Sequence, residues 1–309
     1  MQDAAFKLQF RGNQLCMLLP LRPIITLLLL QICYSLAYPQ SLSSTFMIHW
    51  DDGDVEYAQS VVEAPDGNFL IAGDVSDGPG NFDAQLLKTD ISGNLLWSKA
   101  YGGNSDDSAL DIAITPDSDI VFVGFTSNSG AGLRDMLVVK TDANGVVDWA
   151  RTIGGTGNDR ANSVALTSDG GYLVSGSTLS FGAGSSDFFA VKLDSLGALQ
   201  WSRVIGSPGT EDCLGGVQTS DDGYALSGWT NGLGAGGTDI YVVKLFSNGT
   251  VQWTRVWGTI GFENGRRITQ LSNGNLVLGG LTNGAGSGGE EAALFAADLY
   301  NIGSTTCSS

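Results

Sequence analysis

DMLVVKTDANGVVDW, at residues 135–149, returns along the chain every 52 residues. The copies read DAQLLKTDISGNLLW at 83–97, DFFAVKLDSLGALQW at 187–201 and DIYVVKLFSNGTVQW at 239–253. A weaker copy, EAALFAADLYNIG, begins at Glu291 and lacks the tryptophan. Self-similarity at this period marks a repeat architecture built from one supersecondary unit. Each copy reads as strand, turn, strand. An apolar run leads into a polar turn containing glycine, and a second run carries the tryptophan.

Working outward from the third copy, residues 161–167 form a first strand with small residues alternating, and Ser168-Asp169-Gly170-Gly171 is a turn. Residues 172–175 give a second strand, and a Gly-rich loop around Phe181-Gly182-Ala183-Gly184 leads to the third at 187–193. Ser195-Leu196-Gly197 turns into a fourth at 198–205. No helical period lies between strands, so βαβ units are excluded and an all-β solenoid or propeller remains. Four strands and about 50 residues per unit match a propeller blade, whereas a β-helix coil is shorter.

The expected architecture is a β-propeller of five four-stranded blades of about 52 residues, with inner strands starting near residues 57, 108, 160, 212 and 264. Residues 46–50 precede the first inner strand as Trp97 to Tyr101 precede the second. They read as a fourth strand that completes the last blade and closes the ring. One tryptophan per blade at one register reads as packing between sheets, each burying roughly 150–250 Å². Lys99, Arg151, Arg203 and Arg255 follow two residues later, where a charge on an outer edge strand opposes edge-to-edge aggregation.

The pattern K-x-D-x-x-G-x-x-x-W-x-R-x-x-G-G at 140–155, then D-x-A-x-S-V at 159–164 and D-G-G-Y-x-x-x-G-x-T at 169–178, resembles the secreted bacterial and archaeal β-propeller repeat proteins. The resemblance covers nearly all of the chain beyond its N-terminal segment. It implies a fold and export, and no activity. The turn-and-tryptophan segment is also similar to repeats of pyrroloquinoline-quinone dehydrogenases. Those enzymes use eight blades and a much longer chain, so their activity is not carried over.

At the N-terminus, Lys7, Arg11 and Arg22 precede an apolar run at 24–36, and Ser35-Leu36-Ala37 offers small residues at a cleavage site. This predicts a signal peptide at 1–37, with Met1 or Met17 as the start, and no membrane span after cleavage; an uncleaved signal anchor is the alternative. A linker at 38–44, the propeller at 45–303 and a tail at 304–309 complete the expected organisation. The formal charge is −17, and removing a segment of net +2 leaves −19. Such a balance opposes nucleic acid and anionic membrane as partners. A secreted or cell-surface, monomeric protein is expected. Cys213 and Cys307 could pair in an oxidising compartment, or Cys213 could be a buried thiol.

Two acidic series run through the repeats. One is Glu56, Asp107, Asp159, Glu211 and Glu263, before the inner strands; the other is Asp83, Asp135, Asp187, Asp239 and Glu291, opening the third strands. In a propeller both fall toward one face. The first series reads either as oxygen donors to a cation, Ca²⁺ by ligand type, or as acceptors for backbone N–H groups of the acids' own loops. Residues that break the repeat carry the ligand-binding expectation. Trp229 stands where Phe125, Ser177 and Leu281 stand, and Arg134, Arg160, Arg266 and Arg267 are single-copy charges. Aromatic and guanidinium groups beside Gly-rich loops suit an extracellular carbohydrate or protein ligand.

Catalytic readings have little support. His49 is the one histidine and no nucleophile motif accompanies it. Clustered His and Cys for zinc are absent, and the Gly-rich loops lack the lysine and helix of a phosphate cradle. The expected function is therefore a non-catalytic extracellular or cell-surface binding module. An extracellular polysaccharide-active hydrolase or lyase is the alternative, because paired carboxylates suffice for glycoside hydrolysis.

Overall fold

The computed structural model describes residues 56–78, 81–284, 289 and 291–297, with two short strands, Leu8–Arg11 and Gln14–Met17, near the N-terminus. Those two strands pair antiparallel within a separate unit spanning Met1–Met47. The cleavage site, residues 46–50 and Cys307 lie outside the described residues.

From Glu56 onward every described element is a strand, and each repeat makes one antiparallel sheet with its strands in chain order. Sheets 1 to 4 have four strands and sheet 5 has three among the described residues. This is an all-β, propeller-like fold. Sheet 3 is typical, with strands Asp159–Leu166, Tyr172–Thr178, Asp187–Leu193 and Leu199–Ile205. The first strands begin at Glu56, Asp107, Asp159, Glu211 and Glu263, one residue earlier than the sequence suggests. The acid that seemed to precede each strand is its first residue, because it pairs with the end of the second strand, as Asp159 does with Thr178. The fourth strand of sheet 5, expected from residues 46–50, falls outside the described residues, so closure of the ring is not described.

Four apolar layers lie between consecutive sheets. The first joins Leu70, Ala72 and Leu86 of sheet 1 to Ile112, Ile120 and Phe122 of sheet 2, and the other three repeat this for the following pairs. The third strands of sheets 3 and 4 are buried along their whole length. Sheets 2 to 4 therefore show both faces to neighbours, which explains continuous apolar runs where a half-exposed strand would alternate.

The repeated motif stitches these layers together. Gly197 adopts φ 74°, and a Cβ there would stand 2.9 Å from the Trp149 ring of the preceding sheet. Gly249 does the same for Trp201, and at Gly145 a Cβ would stand 2.7 Å from Tyr101 Oη and 3.3 Å from the Trp97 ring. Only glycine supplies both the left-handed turn and the close approach. Arg151 lies over the Trp149 ring and donates to the carbonyls of Gly197 (2.9 Å) and Leu196 (3.0 Å), while Arg203 donates to Asn248. These arginines therefore clamp the next sheet's turn as well as charging an edge. Inward from the turns, Lys192 and Lys244 are fully buried and paired with Asp169 and Asp221. Cys213 is a buried free thiol, pushed up to about 12 by desolvation.

Candidate functional site

A second glycine of the motif, the one just after each described fourth strand (Gly102, Gly154, Gly206 and Gly258), is explained by the acids. A Cβ on Gly206 would stand 1.8 Å from Asp187 Oδ1 and 2.5 Å from Glu211 Oε2. The same holds at Gly102 for Asp83 and Asp107, at Gly154 for Asp135 and Asp159, and at Gly258 for Asp239 and Glu263. The two acidic series thus meet pairwise at every described seam. The third-strand acid of one sheet faces the first-strand acid of the next across a missing side chain.

Both series hold their own loops. Asp187 Oδ2 accepts from the Ala183 and Gly184 amides (3.1 and 3.3 Å), and Asp135 accepts likewise from Ala131 and Gly132. Asp159 accepts from the Gly155 amide (2.7 Å) and Ser180 Oγ (2.6 Å). Glu211 accepts from the Ser207 amide and hydroxyl and from Thr230; Glu263 does so from Thr259 and Thr282. Asn128 donates to Asp107, and Gln85 to Glu56 (3.1 Å). Burial raises the carboxyls of Asp107, Asp187 and Asp239 above the ordinary range, and the neighbouring acid adds to this for Asp187 and Asp239. Asp187 Oδ1 and Asp239 Oδ1 are buried without a hydrogen-bond partner. Among the described residues no three His, Cys, Asp or Glu side chains converge as a metal centre needs.

The five first strands do not repeat faithfully where they face one another. Each carries a bulge, between Ala58 and Ser60, Ala109 and Asp111, Ala161 and Ser163, Cys213 and Gly215, and Gly265 and Ile268. At the position just after the bulge in sheets 1 to 4 stand Ser60, Asp111, Ser163 and Gly215, and Arg267 is their sheet-5 counterpart. Arg267 reaches from sheet 5 to sheet 2, meeting Asp111 with two bonds (2.6 and 2.7 Å), and to Ser163 of sheet 3 (3.1 Å). Asp111 also accepts from Ser60 Oγ (2.9 Å) and the Val164 amide (3.0 Å). One buried carboxylate therefore ties sheets 1, 2, 3 and 5 about a common axis. Its charge raises the Arg267 guanidinium further.

Nearer the loops, two more single-copy acids sit between sheets. Asp74 accepts from Ser108 Oγ (2.6 Å), the Ala109 amide (3.2 Å) and Gln59 (3.3 Å). Asp212 accepts from Arg160 (3.1 Å), Asn162 (3.2 Å) and Ser177 Oγ. Sequence reasoning missed Asp74, Asp111 and Asp212. Their signal was the departure from the repeat at positions occupied by Phe125, Ser163 and Ser108.

Among the expected ligand-binding residues, Arg160 and Arg267 join these acids. Arg134 stacks 4.2 Å over Phe125 and pairs with Asp106 (3.2 Å). Arg266, at the bulge of sheet 5, is exposed and has no ion pair among the described residues. Trp229 is half-buried and pairs with Asp212 in the ladder, so it stands beside that acid. Phe262, at the loop entering sheet 5, is 58% exposed, and Tyr57 is 53% exposed on the first strand of sheet 1. The bridges Arg134 to Asn158, Ser186 to Thr210 and Thr238 to Phe262 bind the loop before each third strand to the loop before the next first strand. This end of the molecule is therefore a stitched platform of loops around the axis.

No family description matches the chain. A stretch of 138 residues is 29% identical to the regulatory protein FlaEY of Caulobacter vibrioides, covering 40% of this chain and 14% of that protein. The match thus spans only a small part of the curated relative. Among solved structures, the endo-arabinase of Bacteroides thetaiotaomicron aligns over 84% of this chain and 99% of its own, at 10% identity and a TM-score of 0.46. A polysaccharide lyase, an ulvan lyase bound to -[GlcA(1-4)Rha3S]-, aligns over 80% of this chain and 73% of its own, at 13% identity and a TM-score of 0.50. These are propeller-like enzymes, and at such identities the likeness concerns the fold alone. No helix among the described residues is long and apolar enough to cross a membrane.

Proposed function

We propose that the chain is an exported, propeller-like module whose loop platform binds an extracellular carbohydrate without transforming it. The observation that carries this reading is the state of the three single-copy acids. Asp74, Asp111 and Asp212 each accept three or more hydrogen bonds from protein donors. A carboxylate whose lone pairs are taken by protein donors has little left to offer a glycosidic oxygen. Exposed aromatic rings and guanidinium edges on the same platform suit the apolar faces and hydroxyls of sugars.

A second reading is a polysaccharide-active hydrolase or lyase. It is favoured by the presence of three acids without counterparts in sister repeats, and by the kinship in fold to the ulvan lyase. Incubation with polysaccharides separates the two. A module gives saturable binding that Trp229→Ala weakens, with no new reducing ends and no unsaturated sugars. Release of either product, lost in Asp212→Asn, would make it an enzyme. Export is tested by the N-terminus of secreted protein, which should begin at Tyr38.

A further inference from the structure

We infer that the carbohydrate taken by this platform is anionic, bearing carboxylate or sulfate groups that the single-copy arginines recognise. This rests on the carbohydrate-binding reading above and narrows it to a chemical class.

From residue 56 onward the basic residues fall into two sets. Eight stand at repeat positions, and their charges serve the fold. Lys88, Lys140, Lys192 and Lys244 pair with the turn acids Asp66, Asp119, Asp169 and Asp221. Lys99, Arg151, Arg203 and Arg255 lie over the seam tryptophans. The remaining four, Arg134, Arg160, Arg266 and Arg267, have no counterpart in sister repeats. Arg134 precedes a third strand, and the other three lie within the first five residues of first strands.

Arg160 and Arg267 are paired from behind, whereas Arg134 and Asp106 form a surface pair, 42% and 35% exposed. The Arg267 side chain is 57% exposed against 5% for Asp111, and Arg160 is 44% exposed against 18% for Asp212. Arg134 and Arg160 each use only Nη2 toward their acids. Guanidinium carries five donors in a planar fork, and a carboxylate takes two at most along one edge. The outer edges of Arg160 and Arg267 remain open, held in place by the more buried partner. Arg266 adds a guanidinium with no ion pair among the described residues.

A protein of charge −17 repels anions at long range, but that repulsion is screened beyond about 8 Å at physiological ionic strength. At contact, fixed guanidinium forks give short, charge-assisted and often bidentate bonds to carboxylate or sulfate. A neutral glycan would offer those forks only hydroxyl acceptors, whose bonds lack the second charge.

The test measures binding of the full chain, in EDTA so that no cation bridges two anions. Polygalacturonate is compared with fully methyl-esterified pectin, and dextran sulfate with dextran, so that carboxylate and sulfate are read separately. One anionic polymer should bind at least about tenfold tighter than its neutral counterpart. Arg266→Gln should weaken that binding by about tenfold with an unchanged melting midpoint, since no ion pair is lost. Lys99→Gln, on the outer seam, should leave it unchanged. Equal binding of charged and neutral polymers would overturn the inference while leaving carbohydrate binding intact. Failure of all four polymers to bind would overturn both. Preference for an anionic polymer that survives Arg266→Gln and Arg160→Gln together would place recognition elsewhere and overturn the assignment.

Discussion

Replacing Asp187 by asparagine should stabilise the protein at neutral pH. Asp187 Oδ1 and Glu211 Oε2 stand 1.8 and 2.5 Å from the same point, the missing Cβ of Gly206, so they are at most about 4.3 Å apart. Two full charges at that distance repel by about 4 kcal/mol at an effective dielectric of 20. Asparagine removes one charge and can turn its amide N–H₂ toward Glu211. Its carbonyl still accepts from Ala183 and Gly184, though the loss of charge weakens those bonds by about 1 kcal/mol together. Glu211 also disperses part of its charge into three donors. A net gain of about 1–3 kcal/mol is expected, or roughly 3–8 °C in melting midpoint for a chain of this size. The sign of the pH dependence follows from the cause. Burial first, and then Glu211, raise the folded carboxyl of Asp187 above its unfolded value of 3.8. The folded state therefore binds this proton more tightly, and the penalty grows as pH rises from about 4 through the folded value. The advantage of Asp187→Asn should be full at pH 7.5 and shrink toward pH 4 in urea denaturation. Asp187→Ala, which also discards the loop cap, should be less stable than Asp187→Asn at every pH. A loss of stability on Asp187→Asn at pH 7.5, or a gain independent of pH, would refute the reasoning.

Four other outcomes are expected. Asp111→Ala strands the Val164 amide and the inner edge of Arg267, and should cost about 2–4 kcal/mol in urea denaturation; below about 0.5 kcal/mol, the tie across the axis does not form in solution. Trp149→Ala or Trp201→Ala should cost roughly 3 kcal/mol, toward the low end for aromatic truncation because both rings are half-buried; a cost below 1 kcal/mol would mean the rings do not pack the seams. We propose that residues 46–50 supply the missing strand of sheet 5, so their deletion should lower the midpoint by more than roughly 10 °C or cause aggregation, and an unchanged melt would place the closing strand elsewhere. Millimolar Ca²⁺ against EDTA at constant ionic strength tests Glu56, Asp107, Asp159, Glu211 and Glu263 as cation ligands: binding to the native state raises the midpoint, Asp107→Asn with Asp159→Asn should abolish the rise, and loop capping alone gives none.

The sequence by itself determined what is local. Four strands per repeat, the turns at Asp142-Ala143-Asn144-Gly145 and its sisters, and the apolar runs of the third strands follow from spacing and from residue type. The repeat also placed a turn glycine and a tryptophan in one recurring stretch, although not that Gly197 of one sheet receives Trp149 of another. Only tertiary structure decided what is distant. Asp111 and Arg267 are 156 residues apart, and no periodicity links them, because they meet only when sheets 2 and 5 turn their first strands toward one axis. The acid series read as two separate sets falling toward one face; packing of consecutive sheets brings Asp187 against Glu211 and makes them pairs. Asp74 and Asp212 were hidden for a related reason. A single substitution within a repeat is indistinguishable from surface drift until the neighbouring sheet shows which side chains donate to it. Local pattern is written in short-range backbone preferences, whereas the site depends on which repeats the fold sets side by side.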